Sequence, residues 1–242
     1  MTAGLLIPKV VHQTHASRDL PAPVVENIRR IRHANPEWNY RFYDNREVEA
    51  FIRDHYDARI LKAYQRINPR YGATRADFFR YLLVFQAGGV YLDIKSGLSR
   101  PLNEIVGHHQ YLLCHWDNGP GGVHQGWGTH FKQMPQGEFQ QWHVAAVPGH
   151  PFLRAVIELA LHNIENYTVE RYGVGFAGAM TVTGPIAYTM AIAPRLRHAS
   201  HHLLRTNQEM GFVYNALEVD YQPLLYDTQR PHYTRIDEPM VL

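Results

Sequence analysis

Apolar positions along this chain change period several times, and each change marks an element. Leu5 to Val11 is apolar and β-branched around Pro8, which predicts a first strand. Val24, Val25, Ile28 and Ile31 follow helical spacing, and Asn35-Pro36 closes that helix, because the residue before a proline leaves the α region. Trp38 to Tyr43 alternates as a second strand would. Asp44-Asn45 then turns into another helix, whose buried face carries Val48, Phe51 and Ile52. Strand, helix, strand, helix in this order predicts parallel strands joined by crossover helices.

The pattern is densest between Gly72 and Gly97. Arg75 to Gln86 predicts a helix stopped by Gly88-Gly89, since glycine accepts the left-handed backbone that ends helices. Val90 to Ile94 predicts a short buried strand, left by Lys95-Ser96-Gly97. Glycines crowd from Gly119 to Gly128, beside His115, Trp116, His124, Trp127 and His130, which predicts a long surface loop of the kind that often carries function. Trp142 leads into a strand from His143 to Val147 and is expected in the core. Beyond Pro148-Gly149, Leu153, Val156, Ile157, Ala160, Leu161 and Ile164 recur at helical spacing, with Pro151 in the first turn. Thr183-Gly184-Pro185 opens a further short helix, His201-His202 reads as a solvated helix end, and residues 214–242 mix short strand-like pieces with prolines.

Length and composition narrow the class. At 242 residues the chain is long enough for one domain with a proper core; 45% hydrophobic and 19% charged residues argue against disorder. A net charge of +2 without a long basic run gives a nucleic-acid role no electrostatic support. Cys114 is the only cysteine, so no internal disulfide forms. No apolar stretch approaches the roughly 20 residues that span a bilayer, and MTAGLLIPKVV lacks the pattern of a secretory signal. The expectation is a soluble, cytoplasmic protein without a transmembrane segment.

Three charged residues stand out against this apolar background. Asp77 and Arg80, three apart on one helix, share a face. Asp93 ends the next strand, where an open α/β sheet places its ligands. An Asp77–Arg80 ion pair with Asp93 in a turn would satisfy the same spacing structurally. A carboxylate suits sugar hydroxyls or a bridging metal, and a cation suits phosphate.

The stretch ADFFRYLLVFQAGGVYLDIKSG, which contains all three, resembles the signature of glycosyltransferases with a sugar-binding Asp-x-Asp region: the glycosyltransferase family 32-like group of yeast mannosyltransferases and bacterial capsule or lipopolysaccharide enzymes. More distantly it is similar to the catalytic domain of large clostridial glucosylating toxins. IPKVVHQTH resembles the family's first strand, WNYRFYDN its second, and VPGHPFLRAVI and TGPIAYTMAI later blocks. The resemblance implies an α/β GT-A fold, Rossmann-like, with a mixed sheet and helices on both faces. Residues 1–105 would be a nucleotide-sugar-binding half, and residues 106–242 an acceptor-binding half with C-terminal closure. It implies a hexosyltransferase of polysaccharide biosynthesis using a UDP- or GDP-sugar and a glycan or glycolipid acceptor, by analogy with retention of configuration. Donor-binding residues would be Val11, His12, Gln13, Thr14, His15, Asp77, Arg80, Asp93, Lys95 and Gly184, with Asp93 and Lys95 catalytic.

Two positions depart from the family. Lys95 stands where the second carboxylate, usually the metal ligand, should be, and an ammonium cannot ligate a cation. His15 stands where a base-stacking tryptophan is usual. Three readings of Lys95 follow: it replaces the metal's charge at the diphosphate; or Mn2+ or Mg2+ still binds through Asp93, His232 and the phosphates; or the chain is an inactive carbohydrate- or nucleotide-sugar-binding protein on a decayed transferase fold. An arbitrary surface histidine is the plainer reading of His232. Trp116 and Trp127 are candidates to stack on acceptor sugar rings. Glu138, Asp117 and Glu209 are possible bases, none singled out by spacing.

Overall fold

Proline has no N–H to give a β-ladder, so the first strand begins beyond Pro8. In the computed structural model, which describes residues 6–131, 134–226 and 231–242, β1 is Val10–Thr14 rather than a strand from Leu5, which itself lies outside the described residues. Helix α1 (Ala22–Ala34) follows and ends before Asn35-Pro36, then β2 (Asn39–Tyr43) and α2 (Asn45–His55). Asp44 caps α2: its carboxylate accepts the backbone N–H groups of Arg46 and Glu47, and Glu47 reaches back to the Asp44 N–H, a reciprocal capping box. Helix α3 (Ala58–Arg66) was not legible in the apolar spacing alone. Helix α4 (Gly72–Ala87) leads through Gly88 and Gly89, at φ +65° and +98°, into β3 (Gly89–Leu92).

Strand β4 (Gly97–Leu98), α5 (Leu102–Val106), β5 (Tyr111–His115) and β6 (His143–Ala146) follow. The second half continues with α6 (Pro151–Glu165), α7 (Val169–Tyr172), α8 (Gly175–Val182) and α9 (Pro185–Ile192). A 3-10 segment, Ala193–His198, then precedes β7 (His202–Thr206), α10 (Asn207–Met210), β8 (Phe212–Val213) and α11 (Gln222–Leu225). Two expectations are corrected here. His201-His202 is no helix end: β7 begins at His202, pairs with β5, and sets the His202 ring flat on His109 at 4.0 Å. The described residues of 214–242 hold α11 and a 3-10 turn at Tyr233–Arg235 with one isolated bridge, Ile67 to Val241, instead of strand pieces; Pro223, in the first turn of α11, favours a helix start.

The six-stranded sheet runs β2-β1-β3-β6-β5-β7, and β4 pairs with β8 apart from it. β1 is parallel to β2 and β3, β6 is antiparallel to β3 and β5, and β7 is parallel to β5. The period of two sorts side chains between two apolar layers. Tyr91, Tyr111, Leu113 and Val144 pack with α2, α3, α4, α6, α8 and α9, while Val90, Leu92, Leu112 and Ala145 pack with α1 and α5. The expected mixed sheet with helices on both faces is what forms. α4 has no polar stripe: residues 77 to 84 are all buried, so its charged pair, Asp77 and Arg80, lies inside the fold.

One expectation about membranes also changes. The run Gly175–His198 is long and apolar enough to cross a bilayer by length and composition. Here it is α8, α9 and the 3-10 segment, 61% buried in its most apolar stretch and packed on α6.

Candidate active site

Parallel strands leave their carboxyl ends at one sheet edge, and crossover helices wall a crevice there. The cleft at the ends of β1, β2 and β3 is lined by Thr14, His15, Asn45, Arg80, Asp93 and Lys95, with Tyr64, Val48 and Phe79 as its apolar side. Residues of the second half, Leu225, Tyr226, Pro231 and Tyr233, close it.

Beneath the cleft lies a buried charge set. Arg80 Nη2 is 2.9 Å from Asp77 Oδ1 and 3.0 Å from Asp93 Oδ1, and the Arg80 side chain is only 3% exposed. Arg80 Nη1 donates to the backbone and side-chain oxygens of Gln141 at 2.6 Å, and the guanidinium lies over the Tyr91 ring at 4.8 Å. Asp77 also accepts from Gln141 Nε2 at 3.2 Å and Thr183 Oγ1 at 3.2 Å. Burial, only partly opposed by Arg80, raises the Asp77 pKa to about 6, and nearby Asp93 pushes the same way. Burial works against the Arg80 charge, but Asp93, Tyr91 and Asp77 outweigh it and its pKa rises. Arg80 thus bridges the two carboxylates, one of them, Asp77, wholly inside the fold.

Asp93 is fixed by its backbone. Its N–H donates to the Trp142 carbonyl, and its carbonyl accepts from Gln13 Nε2 at 3.0 Å and the Ser96 N–H. Its Oδ1 meets Arg80 and Tyr91 Oη, while Oδ2 has no partner among the described residues and the side chain is 24% exposed. Lys95, on the same wall, donates from Nζ to Tyr214 Oη at 3.1 Å and lies 4.2 Å and 4.4 Å from the ring centres of Tyr214 and Tyr221. His232 is held through Nδ1 by Thr234; burial, with the charges of Lys95 and Arg235, lowers its pKa to about 4, so it is a neutral imidazole at pH 7. Among the described residues no three His, Cys, Asp or Glu side chains gather as a metal-binding group. On the described residues of this wall, the groups able to meet a cation are the open Asp93 oxygen and the His232 imidazole, the latter under the charge of Lys95.

The other expected donor residues divide by position along β1, the cleft lying beyond its C-terminal end. Thr14 and His15 reach the cleft. Val11 is core, His12 is buried with Nε2 on the Gly88 carbonyl at 3.0 Å, and Gln13 ties Tyr40 to Asp93, so these three act on the cleft through the backbone or not at all. Gly184 starts α9, where a Cβ would stand 2.3 Å from the Ala179 carbonyl oxygen: it serves the close approach of α8 and α9, and its neighbour Thr183 is the residue that touches Asp77. Gln141, Thr183 and Tyr214 escaped sequence reasoning: uncharged and distant in sequence, they gave no spacing signal, and Tyr91, inside the signature stretch, carries no charge to mark it.

Residues 117–128 form the expected surface loop, closed on itself by Asp117 accepting the Val123 and His124 N–H groups and Asn118 donating to Trp127. Trp116 and Trp127 meet edge to face at 5.3 Å, and Trp127 is exposed. Trp142 is core, as expected. Among the possible bases, Glu138 is fully buried and holds His130 through Oε1, with Oε2 unpaired. Asp117 is taken up in the loop.

Residues 21–112 match the glycosyltransferase sugar-binding region containing a DXD motif. Around this sugar-binding region the likeness extends further. The chain is 25% identical over 183 residues to a mannosyl phosphorylinositol ceramide synthase of Saccharomyces cerevisiae, covering 75% of this chain and 41% of that one. It is 30% identical over 151 residues to an initiation-specific alpha-1,6-mannosyltransferase of Candida albicans, covering 58% of this chain and 37% of the relative. The chain thus spans about two-fifths of the length of these curated relatives. The UDP-bound glycosyltransferase domain from the YGT toxin shares the fold with a TM-score of 0.55 at 8% identity, over 84% of this chain and 80% of that one. The fold is GT-A. The matched range includes Asp93-Ile94-Lys95, the stretch that resembles the family's Asp-x-Asp.

Proposed function

We propose that this chain is a hexosyltransferase that moves a sugar from a UDP- or GDP-sugar to a hydroxyl of a glycan or glycolipid, with retention of configuration. The observation that carries this reading is the buried Asp77–Arg80–Asp93 set at the strand ends, facing a cleft that also holds Lys95. The mannosyl-transferring relatives support a hexose, and the UDP-bound fold neighbour supports a nucleotide-sugar donor. Asp93 Oδ2 accepts a donor hydroxyl, and the Lys95 ammonium balances the negative charge that the diphosphate gathers as it leaves. A lysine is a compact point charge, well suited to a phosphate oxygen. As the bond from the anomeric carbon to the phosphate oxygen breaks, that oxygen takes the proton of the incoming hydroxyl on the same face. No protein base is then needed, and stabilising the leaving charge is the protein's main contribution. Trp116 and Trp127 offer flat apolar faces to the acceptor sugar.

Melting the protein with UDP-, GDP- and CMP-sugars, with manganese or with EDTA, tests the reading, since a ligand bound to the native state raises Tm. A UDP- or GDP-sugar is expected to stabilise in EDTA, transfer to survive EDTA, and Lys95→Ala to lose most of both. If EDTA abolishes transfer, manganese restores it and Lys95→Ala is neutral, a cation on Asp93 and His232 replaces the role given to Lys95. If no nucleotide sugar stabilises and no transfer occurs, the chain is not a working transferase.

A further inference from the structure

Tyr214, just beyond β8, touches both the wall where the donor is proposed to bind and the loop proposed to receive the acceptor. On one side its Oη accepts from Lys95 Nζ at 3.1 Å while its ring lies 4.2 Å from the same ammonium. The backbone fixes this pairing: Ser96 Oγ donates to the Tyr214 carbonyl at 2.9 Å, and the Ala216 N–H to the Lys95 carbonyl. On the other side the ring meets Trp116 at 5.2 Å, His124 at 5.8 Å and Trp127 at 5.6 Å, each nearly perpendicular. Core residue Trp142 stands behind it at 5.5 Å. One side chain therefore contacts both a cation able to meet a phosphate and the exposed aromatic loop.

We propose that Tyr214 is a positioning residue that holds Lys95 for the diphosphate and, through the same ring, makes the arrangement of the Trp116–Trp127 loop depend on whether the diphosphate is bound. The inference rests on the preceding reading that Lys95 meets the diphosphate. An ammonium has three donors, and one is spent on Tyr214 Oη, which directs the remaining two. An arriving phosphate oxygen takes the free donors and draws charge from the tyrosine oxygen and ring, which loosens the hold that keeps the ring in place. Edge-to-face packing depends on ring orientation, so any turn of Tyr214 alters its contacts with Trp116, His124 and Trp127 together. The donor then prepares the surface on which the acceptor sugar lands, which favours the acceptor binding second.

Intrinsic tryptophan fluorescence reads this directly, because two of the four tryptophans lie against Tyr214 in the loop. UDP and GDP are titrated in EDTA, with calorimetry on the same samples and with Trp116→Phe and Trp127→Phe identifying the reporter. The nucleotide that releases heat is expected to change the fluorescence of Trp116 or Trp127 at the same midpoint. Tyr214→Phe keeps the ring and loses the hydroxyl: donor affinity should fall roughly tenfold, the scale of one hydrogen bond to a charged group, with the fluorescence response retained. Tyr214→Leu should lose the response and raise the acceptor KM while far-UV circular dichroism is unchanged. Heat without a fluorescence change, or a response that persists in Tyr214→Leu, overturns the coupling while leaving the transferase reading intact. Should Tyr214→Leu fail to fold, an unchanged donor affinity in Tyr214→Phe overturns it. No heat with either nucleotide removes the diphosphate reading and this inference with it.

Discussion

Asp77 and Asp93 sit at similar distances from one guanidinium, yet their surroundings give them different tasks. Asp93 is partly exposed and keeps an open oxygen, whereas Asp77 is buried and has its pKa raised to about 6. Transfer should therefore weaken as pH falls through about 6, where protonated Asp77 no longer balances Arg80, and Asp77→Asn should abolish that acid limb along with most of the rate. Asp93→Asn should lower donor binding by about 2–5 kcal/mol without unfolding the protein, as loss of one partner of a charged contact does. Rates against pH for both variants, with circular dichroism to confirm folding, check this; an unaltered acid limb in Asp77→Asn would show that another group titrates. The charged members of the set were legible because charge in an apolar stretch is conspicuous. Gln141, Thr183 and Tyr214 were not, since nothing within ten residues of any of them announces a partner that folding brings from far along the chain.

The elements were legible wherever backbone chemistry is local. Asn35-Pro36, the Asp44 cap and Gly88-Gly89 each stop or start an element for a reason confined to a few residues, and the structure places them accordingly. The failures have equally local causes: Pro8 cannot join a ladder, and the strand character of His202–Thr206 comes from pairing with β5, a contact no window contains. The α4–β3 junction is the most exacting of these points. Gly89 combines φ +98° with a Cβ position 2.5 Å from Val10 Cγ1 and 2.7 Å from the Val10 carbonyl oxygen, a backbone atom that cannot swing aside. Gly89→Ala should destabilise by roughly 2–4 kcal/mol, from the disfavoured backbone plus overpacking. A urea midpoint near that of the native sequence would mean that β1 and β3 part more easily than their pairing suggests.

For the molecule as a whole, burial of neutral imidazoles sets the response to acid. His12 has its pKa lowered to about 4 and His143 to about 3, both mainly by burial, with Arg41 and Arg80 adding to it. A folded pKa below the unfolded 6.5 means that stability is present above pH 6.5 and is lost as pH falls below it. Between pH 6.5 and 4 each histidine should remove on the order of 3 kcal/mol. Asp77 acts with the opposite sign: its raised pKa favours the protonated folded form, so its contribution fades as pH rises through about 6 and offsets part of the histidine loss in acid. Urea unfolding across pH 4–7 should show a net decline that is shallower in His143→Gln; a profile flat over that range would contradict the burial of neutral His12 and His143.

Asp93 lies just beyond β3, whose neighbours in the sheet are β1 and β6, and the groups that hold the charge set are scattered still more widely. Gln13 supports the Asp93 carbonyl, Trp142 takes its N–H, Gln141 grips Arg80, and Thr183 reaches Asp77. A fragment cut after residue 105 would thus contain Asp77, Arg80, Asp93 and Lys95 but lack Gln141, Trp142 and Thr183, which orient them. The cleft is therefore not a module that could be lent to another scaffold by transplanting its signature stretch.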